Sequence, residues 1–169
     1  MSTPAKIKVL MVCLGNICRS PTAEAVLRKL VQAQGLQQQI VIDSAGTSDW
    51  HRGEAPDPRA IRAAADRGYD LSTLRARQVM ADDFIRFDYI LAMDEQNLRD
   101  LERLCPPEPH ATVDLLLSYG TSNLREVPDP YDRTLAVFEE VLDLCENACA
   151  DLLQQLIQNH RLHLRRERT

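Results

Sequence analysis

The sequence predicts an α/β protein whose parallel sheet is covered on both faces by helices. First, short apolar runs alternate with one-faced helical periodicities along most of the chain, the pattern of strands joined by helical crossovers. Second, a glycine-containing loop rich in chemistry follows the first apolar run. Open parallel sheets bind ligands at the carboxyl ends of their strands, where the topology switches. Third, 169 residues with 44% hydrophobic and 27% charged content suit one soluble domain with a full core.

Ile7–Cys13 is a short buried strand. Ser20-Pro21 reads as an N-cap followed by proline at the first helical position. Ala23, Val26, Leu27, Leu30 and Val31 then repeat at helical spacing, and Gly35 is a stop. Ile40, Val41 and Ile42 form a second strand, and Asp43–Asp49 is rich in turn formers and reads as a loop. Asp57-Pro58 opens a second helix with Ile61, Ala64 and Ala65 inward and Gly68 at its end. Arg75–Val79 is a connector with a little extended structure, and Met80–Phe87 holds one or two helical turns. Tyr89–Met93 is a third strand, and Leu98, Leu101 and Leu104 mark a helix ending before Pro106-Pro107. Thr112–Leu115 is a weaker fourth strand. From Thr134 to about Asn159 runs a long helix with Leu135, Phe138, Leu142, Cys145, Cys149, Leu152 and Leu156 on one stripe. Arg161–Arg166 is a short basic tail expected to fray, and the whole chain, 1–169, reads as a single domain with its core at about 6–158.

Composition narrows the function. A formal net charge of −5 argues against a nucleic-acid binder. No apolar run reaches membrane-spanning length, and Met1–Lys8 carries no signal-peptide pattern. Five cysteines without a scaffold rhythm fit a reducing, cytoplasmic compartment. The histidines, His51, His110, His160 and His163, are scattered, and Cys13 and Cys18 lack paired ligands at zinc spacing. No metal or cofactor is therefore expected.

The chemistry concentrates in Cys13-Leu14-Gly15-Asn16-Ile17-Cys18-Arg19-Ser20. A loop between a strand and a helix N-terminus turns backbone N–H groups inward, and the helix dipole adds positive potential. The planar fork of Arg19 matches a phosphate in a bidentate way. Such an electropositive cup favours the thiolate of Cys13, and Ser20 can donate a hydroxyl hydrogen bond to it. A lone cysteine is more often a small buried hydrophobe, but here the cysteine and the arginine both fall on the loop. Asp129, between Pro128 and Pro130, is a turn former by composition. Beside the Cys13 loop it reads instead as a stiffly held carboxyl able to act as general acid and then base. Trp50, the only tryptophan, sits in a polar loop, and Tyr131 adjoins Asp129; both suit the mouth of a pocket that stacks an aryl ring.

Together with Val12–Pro21, the stretches Asp43-Ser44-Ala45, Ser48-Asp49-Trp50, Pro56–Ala60, Arg77-Gln78, Phe87–Ile90, Ala92-Met93-Asp94 with Asn97-Leu98, and Asp129-Pro130-Tyr131 resemble the low-molecular-weight protein tyrosine phosphatases. The resemblance runs in order from about residue 6 to 158 and is closest to a bacterial-type member. It implies a three-layer α/β/α fold with a four-stranded parallel sheet. It also implies metal-free hydrolysis of phosphotyrosine in protein substrates through a cysteinyl-phosphate intermediate. By position it makes Cys13 the nucleophile, Arg19 the phosphate ligand and Asp129 the acid and base. Leu14, Gly15, Asn16, Ile17, Cys18 and Ser20 belong to the phosphate loop, and Trp50 and Tyr131 wall the cleft. Asn16, Ser20 and Ser44 support the loop from behind, and Cys18 is the thiol able to form a reversible disulfide with Cys13. Leu74 stands where several animal members carry a histidine of that supporting network, and Asp132 replaces a second tyrosine. A monomer is the expected state. Rival readings on the same scaffold are an arsenate reductase and a phosphoarginine phosphatase, whose loop carries a threonine at the place of Ile17. A non-catalytic phosphopeptide-binding module is a third.

Overall fold

Alternate residues of the first strand go to opposite sides. In the computed structural model, which describes residues 6–163, Val9 and Met11 of β1 (Ile7–Cys13) enter one apolar cluster, whereas Leu10 and Val12 enter another. The residues are apolar on both faces because both faces are covered, as a parallel sheet requires. The remaining elements follow the expected alternation. Helix α1 (Arg19–Ala33) leads to β2 (Ile40–Gly46), α2 (Pro58–Asp66) and the single turn α3 (Asp83–Arg86). Then come β3 (Tyr89–Ala92), α4 (Glu95–Leu104), β4 (Thr112–Leu115), a 3₁₀ turn at Leu116–Tyr119 and the long α5 (Leu135–His160).

The four strands are all parallel, in the order β2-β1-β3-β4. Helices α1, α2 and α5 pack together on the face of Val9 and Met11, and α3 and α4 supply Phe84 and Leu101 to the face of Leu10 and Val12. This is the three-layer arrangement. From β1 the chain goes first to β2 on one side and later to β3 on the other, so the switch point lies at the carboxyl end of β1.

Several boundaries and orientations differ from the sequence expectation. Helix α1 starts at Arg19, not after Ser20, and Cys18 occupies the cap position without a side-chain cap bond. Pro21 still falls in the first turn, where its missing N–H costs nothing. Ser20 is no cap, because its hydroxyl is engaged with Cys13 at 3.0 Å. Strand β2 runs through Asp43-Ser44-Ala45-Gly46, the stretch expected to be a loop, because β1 pairs with it as far as Cys13↔Gly46. Inter-strand pairing here overrides local turn propensity. Gly46 is required by close approach: a Cβ there would stand 2.7 Å from the Leu14 carbonyl oxygen. On α2 Ala60, Ala63 and Ala64 are buried and Ile61 packs against the core as expected, while Ala65 is exposed. Leu135 and Leu104, the first residue of α5 and the last of α4, are 64% and 39% exposed. Of the basic tail, residues 164–166 lie outside the described residues. No helix among the described residues is long and apolar enough to cross a membrane.

Candidate active site

The loop from Leu14 to Cys18 joins β1 to α1 and is held at several points along its length. Leu14 O accepts from Ser48 N at 3.0 Å and Ile17 O from Asp57 N at 2.8 Å. Asn16 takes φ +57°, a left-handed conformation that costs a non-glycine residue about 1 kcal/mol. Its side chain shows why asparagine stands there. Nδ2 donates to Ser20 Oγ at 2.8 Å and Ser44 Oγ at 3.0 Å, and Oδ1 accepts from Arg77 N at 3.0 Å. Ser44 in turn donates to Glu24 Oε1 at 2.6 Å, and Arg28 donates to Glu24 Oε2 at 2.5 Å. Glu24 is buried, and that burial pushes its carboxyl up, with the Ser44 hydrogen bond and Arg28 only partly offsetting it. The network therefore closes through Glu24 and the Arg77 backbone, although Leu74 provides no polar group and packs against the core instead.

Cys13 lies at the base of the loop, buried; Asn16 N donates to its Sγ at 3.3 Å, and Ser20 Oγ stands 3.0 Å from Sγ, a hydrogen bond in which either atom can donate. Both are contacts that a thiolate accepts. Arg19 stands opposite, also buried. Its Nη1 donates to Asp94 Oδ2 at 2.6 Å and to Val127 O at 3.1 Å, and Nη2 lies 3.6 Å from Asp129 Oδ2. Burial works against the guanidinium charge, but Cys13, Asp94 and Asp129 more than offset it and hold its pKa above the ordinary value. Cys18 is buried among Asp57, Cys13 and Asp129; burial first, then these neighbours, push its thiol far up. Asp129 is half-exposed, and Tyr131 N donates to its Oδ1 at 3.1 Å.

These residues share one cavity of about 340 Å³, lined by Cys13, Leu14, Gly15, Ile17, Cys18 and Arg19 together with Trp50, His51, Asp129 and Tyr131. Trp50 is 72% exposed, the setting of a side chain at a mouth rather than in a core. The side chains of Asn16, Ser20 and Ser44 lie outside this lining, buried behind the loop. Sequence reasoning brought Asp94 only as part of a pattern, with no role, and did not single out His51, Glu24 or Arg59. Asp94 was findable: Asp94–Asn97 has the spacing of a capping box, and both of its reciprocal bonds are present. His51 packs so close to Gly15 that a Cβ there would meet its ring at 3.0 Å, a contact that sequence spacing does not show.

Residues 8–162 match the family model described as low molecular weight phosphotyrosine protein phosphatase. The chain is 45% identical over 150 residues to the low molecular weight phosphotyrosine protein phosphatase of Sus scrofa, covering 88% of this chain and 94% of that one. It is 46% identical to the low molecular weight protein-tyrosine-phosphatase of Streptomyces coelicolor, over 86% of this chain and 91% of that one. The crystal structure of a protein tyrosine phosphatase from Entamoeba histolytica with Hepes in its active site superposes with a TM-score of 0.88 at 39% identity, covering 93% of this chain and 100% of that one. With a match of this extent, and with a strand–loop–helix cup facing an aspartate on a separate loop, the chain belongs to the low molecular weight phosphotyrosine protein phosphatase family.

Proposed function

We propose that this chain is a protein tyrosine phosphatase that works in two steps without a cofactor. In the first step the Cys13 sulfur attacks phosphorus. An S–P bond forms as the bond from phosphorus to the tyrosyl oxygen breaks, and Asp129 gives that oxygen a proton. In the second step Asp129 takes a proton from water, whose oxygen attacks phosphorus. The S–P bond breaks and inorganic phosphate leaves. Arg19 and the loop N–H groups hold the equatorial oxygens throughout, as preorganised donors where charge develops.

The observation that carries this reading is convergence. Cys13, Arg19 and Asp129 come from two distant stretches of sequence and line one cavity, with the aromatic Trp50 and Tyr131 on its wall. Apolar and aromatic walls suit a phenyl ring, and Ile17 adds to them. An arsenate reductase would need further thiols beyond Cys18 within reach. Cys145 and Cys149 are fully buried on α5, with the Cys145 thiol pushed up to about 12 by burial, and they read as core. A pure phosphopeptide binder needs no carboxyl poised beside the cup.

The substrate is phosphotyrosine in proteins, and the chain works as a monomer in the reducing cytoplasm. Cys18 serves there as a reversible disulfide partner for Cys13. The test is turnover of an aryl phosphate in the presence of a chelator, with rapid acid quench and mass spectrometry of the Cys13 peptide. Turnover with a phosphate-sized mass increment on Cys13 is expected. Turnover abolished by the chelator, or an unmodified Cys13 during turnover, would remove the mechanism.

A further inference from the structure

The loop that carries Asp129 touches the rest of the protein through the Arg19–Asp129 ion pair at 3.6 Å, the buried Pro130 and the Tyr131 ring 6.1 Å from that of His51, but it has few hydrogen bonds to other elements. Val127 ends its fixed part, with N donating to Met93 O at 2.8 Å and O accepting from Arg19. From Pro128 to Arg133, among the described residues, the hydrogen bonds to any other element all come from one side chain, Arg59. Its Nη2 donates to Tyr131 O at 2.6 Å, and its Nη1 reaches Arg133 O at 3.5 Å.

Arg59 is itself held on two sides. The Asp57 carboxylate grips it in a fork, with Oδ1 accepting from Nε at 3.1 Å and Oδ2 from Nη2 at 3.0 Å. The guanidinium also lies over the ring of Phe138, 4.8 Å from its centroid. Asp57 has two further duties. Its side chain caps α2 through Arg59 N at 2.8 Å, and its own N–H holds the Ile17 carbonyl of the phosphate loop at 2.8 Å. A continuous path therefore runs from the phosphate loop through Asp57 and Arg59 to Tyr131. The Tyr131 N–H in turn holds the Asp129 carboxylate.

We infer that Arg59 is a positioning residue that fixes Asp129 over the Cys13 cup, tying the acid loop to the phosphate loop through Asp57. A planar fork suits the task, since it can grip a carboxylate and still donate to a carbonyl. A proton must pass between Asp129 and the substrate oxygen within hydrogen-bond reach, so an unmoored loop costs rate even when every reacting group is present. This inference rests on the reading of Asp129 as the general acid.

The experiment measures kcat/KM for a series of aryl phosphates of rising leaving-group pKa. The proteins are wild type, Arg59→Met, Asp129→Asn and the double variant. Methionine keeps an apolar stem against Phe138 but loses the fork. Arg59→Met should cost roughly 10- to 100-fold with poor leaving groups and little with good ones, the scale of a misplaced catalytic group. In the Asp129→Asn background the same change should cost almost nothing further, because neighbours acting through one group are non-additive. A loss equal across leaving groups, or one that adds in full to that of Asp129→Asn, overturns the role. Should Arg59→Met fold poorly, Asp57→Asn, which keeps the helix cap and weakens the fork, must show the same leaving-group pattern. If Asp129→Asn alone shows no leaving-group dependence, the acid assignment fails, a result separate from the behaviour of Arg59.

Discussion

Arg19 Nη1 lies 2.6 Å from Asp94 Oδ2, and the other oxygen of that carboxylate caps α4 by accepting from Asn97 N at 2.7 Å. One side chain thus starts a helix on one face of the sheet and holds the Arg19 guanidinium at the cavity. The carboxylate can do both because its two oxygens are both acceptors. An amide cannot, because one of its two ends donates.

Asp94→Asn should therefore keep the helix and lose the hold on Arg19. Asparagine caps as well as aspartate, but with the cap bond kept, an NH₂ group would face the Arg19 guanidinium. The expected loss is about 10- to 100-fold in kcat/KM and in phosphate affinity, since hydrogen bonds to charged groups contribute about 1.5–3 kcal/mol. Unchanged phosphate inhibition in this variant would mean that Val127 O alone suffices to orient Arg19.

Cys13→Ser should abolish turnover while phosphate or vanadate still binds in part. The Asn16 side-chain bonds to Ser20, Ser44 and the Arg77 backbone, and the Arg19 bonds to Asp94 and Val127, do not run through the sulfur. Activity comparable to wild type would sink the covalent step, and calorimetry would report the residual anion binding.

Asp129→Asn should slow hydrolysis by about 10²–10⁴-fold, the usual contribution of a positioned acid–base group. The deficit should shrink for leaving groups that need no proton. If the deficit is the same for all of them, Asp129 only shapes the loop.

Mild peroxide should oxidise Cys13 to a sulfenic acid. The Cys18 thiol then displaces water from it to give the Cys13–Cys18 disulfide, sparing Cys13 from the irreversible states. Burial and the carboxylates around Cys18 keep it protonated. Because only the thiolate attacks, disulfide formation should speed up as pH rises. Mass spectrometry of wild type against Cys18→Ser is the measurement. A variant that recovers with thiol as fully as wild type after the same dose would remove any protective role.

The buried Glu24 gives a pH dependence with a definite sign. Its carboxyl is raised above 4.5 by burial, so the folded protein holds that proton more tightly than the unfolded chain. The associated stability is full below the unfolded value and fades as pH rises through the folded one. The stability difference between wild type and Glu24→Gln should therefore move against wild type as pH rises above the ordinary carboxylate value. Urea unfolding across that range would show it, and a flat difference would mean that Arg28 and Ser44 cancel the burial.

The sequence by itself determined the alternation of elements and the four strands, because apolar periodicity and proline and glycine punctuation are local signals. It marked Cys13, Arg19 and Asp129 as well, since a loop between strand and helix and a carboxyl between prolines carry their chemistry in their neighbours. Tertiary structure decided what depends on contact across the chain. Pairing with β1 drew Asp43–Gly46 into β2 against its turn-forming composition. Packing against Cys13 took the Ser20 hydroxyl away from helix capping. Asp94 gained its role only when β3 set it beside Arg19, as Glu24 did when α1 set it against Ser44. Arg59 looks from its neighbours like a solvated helix residue; only the folded chain brings Tyr131 within 2.6 Å of it. A side chain's partner that is distant in sequence is fixed by the layers that bring the two together, and no local pattern encodes it.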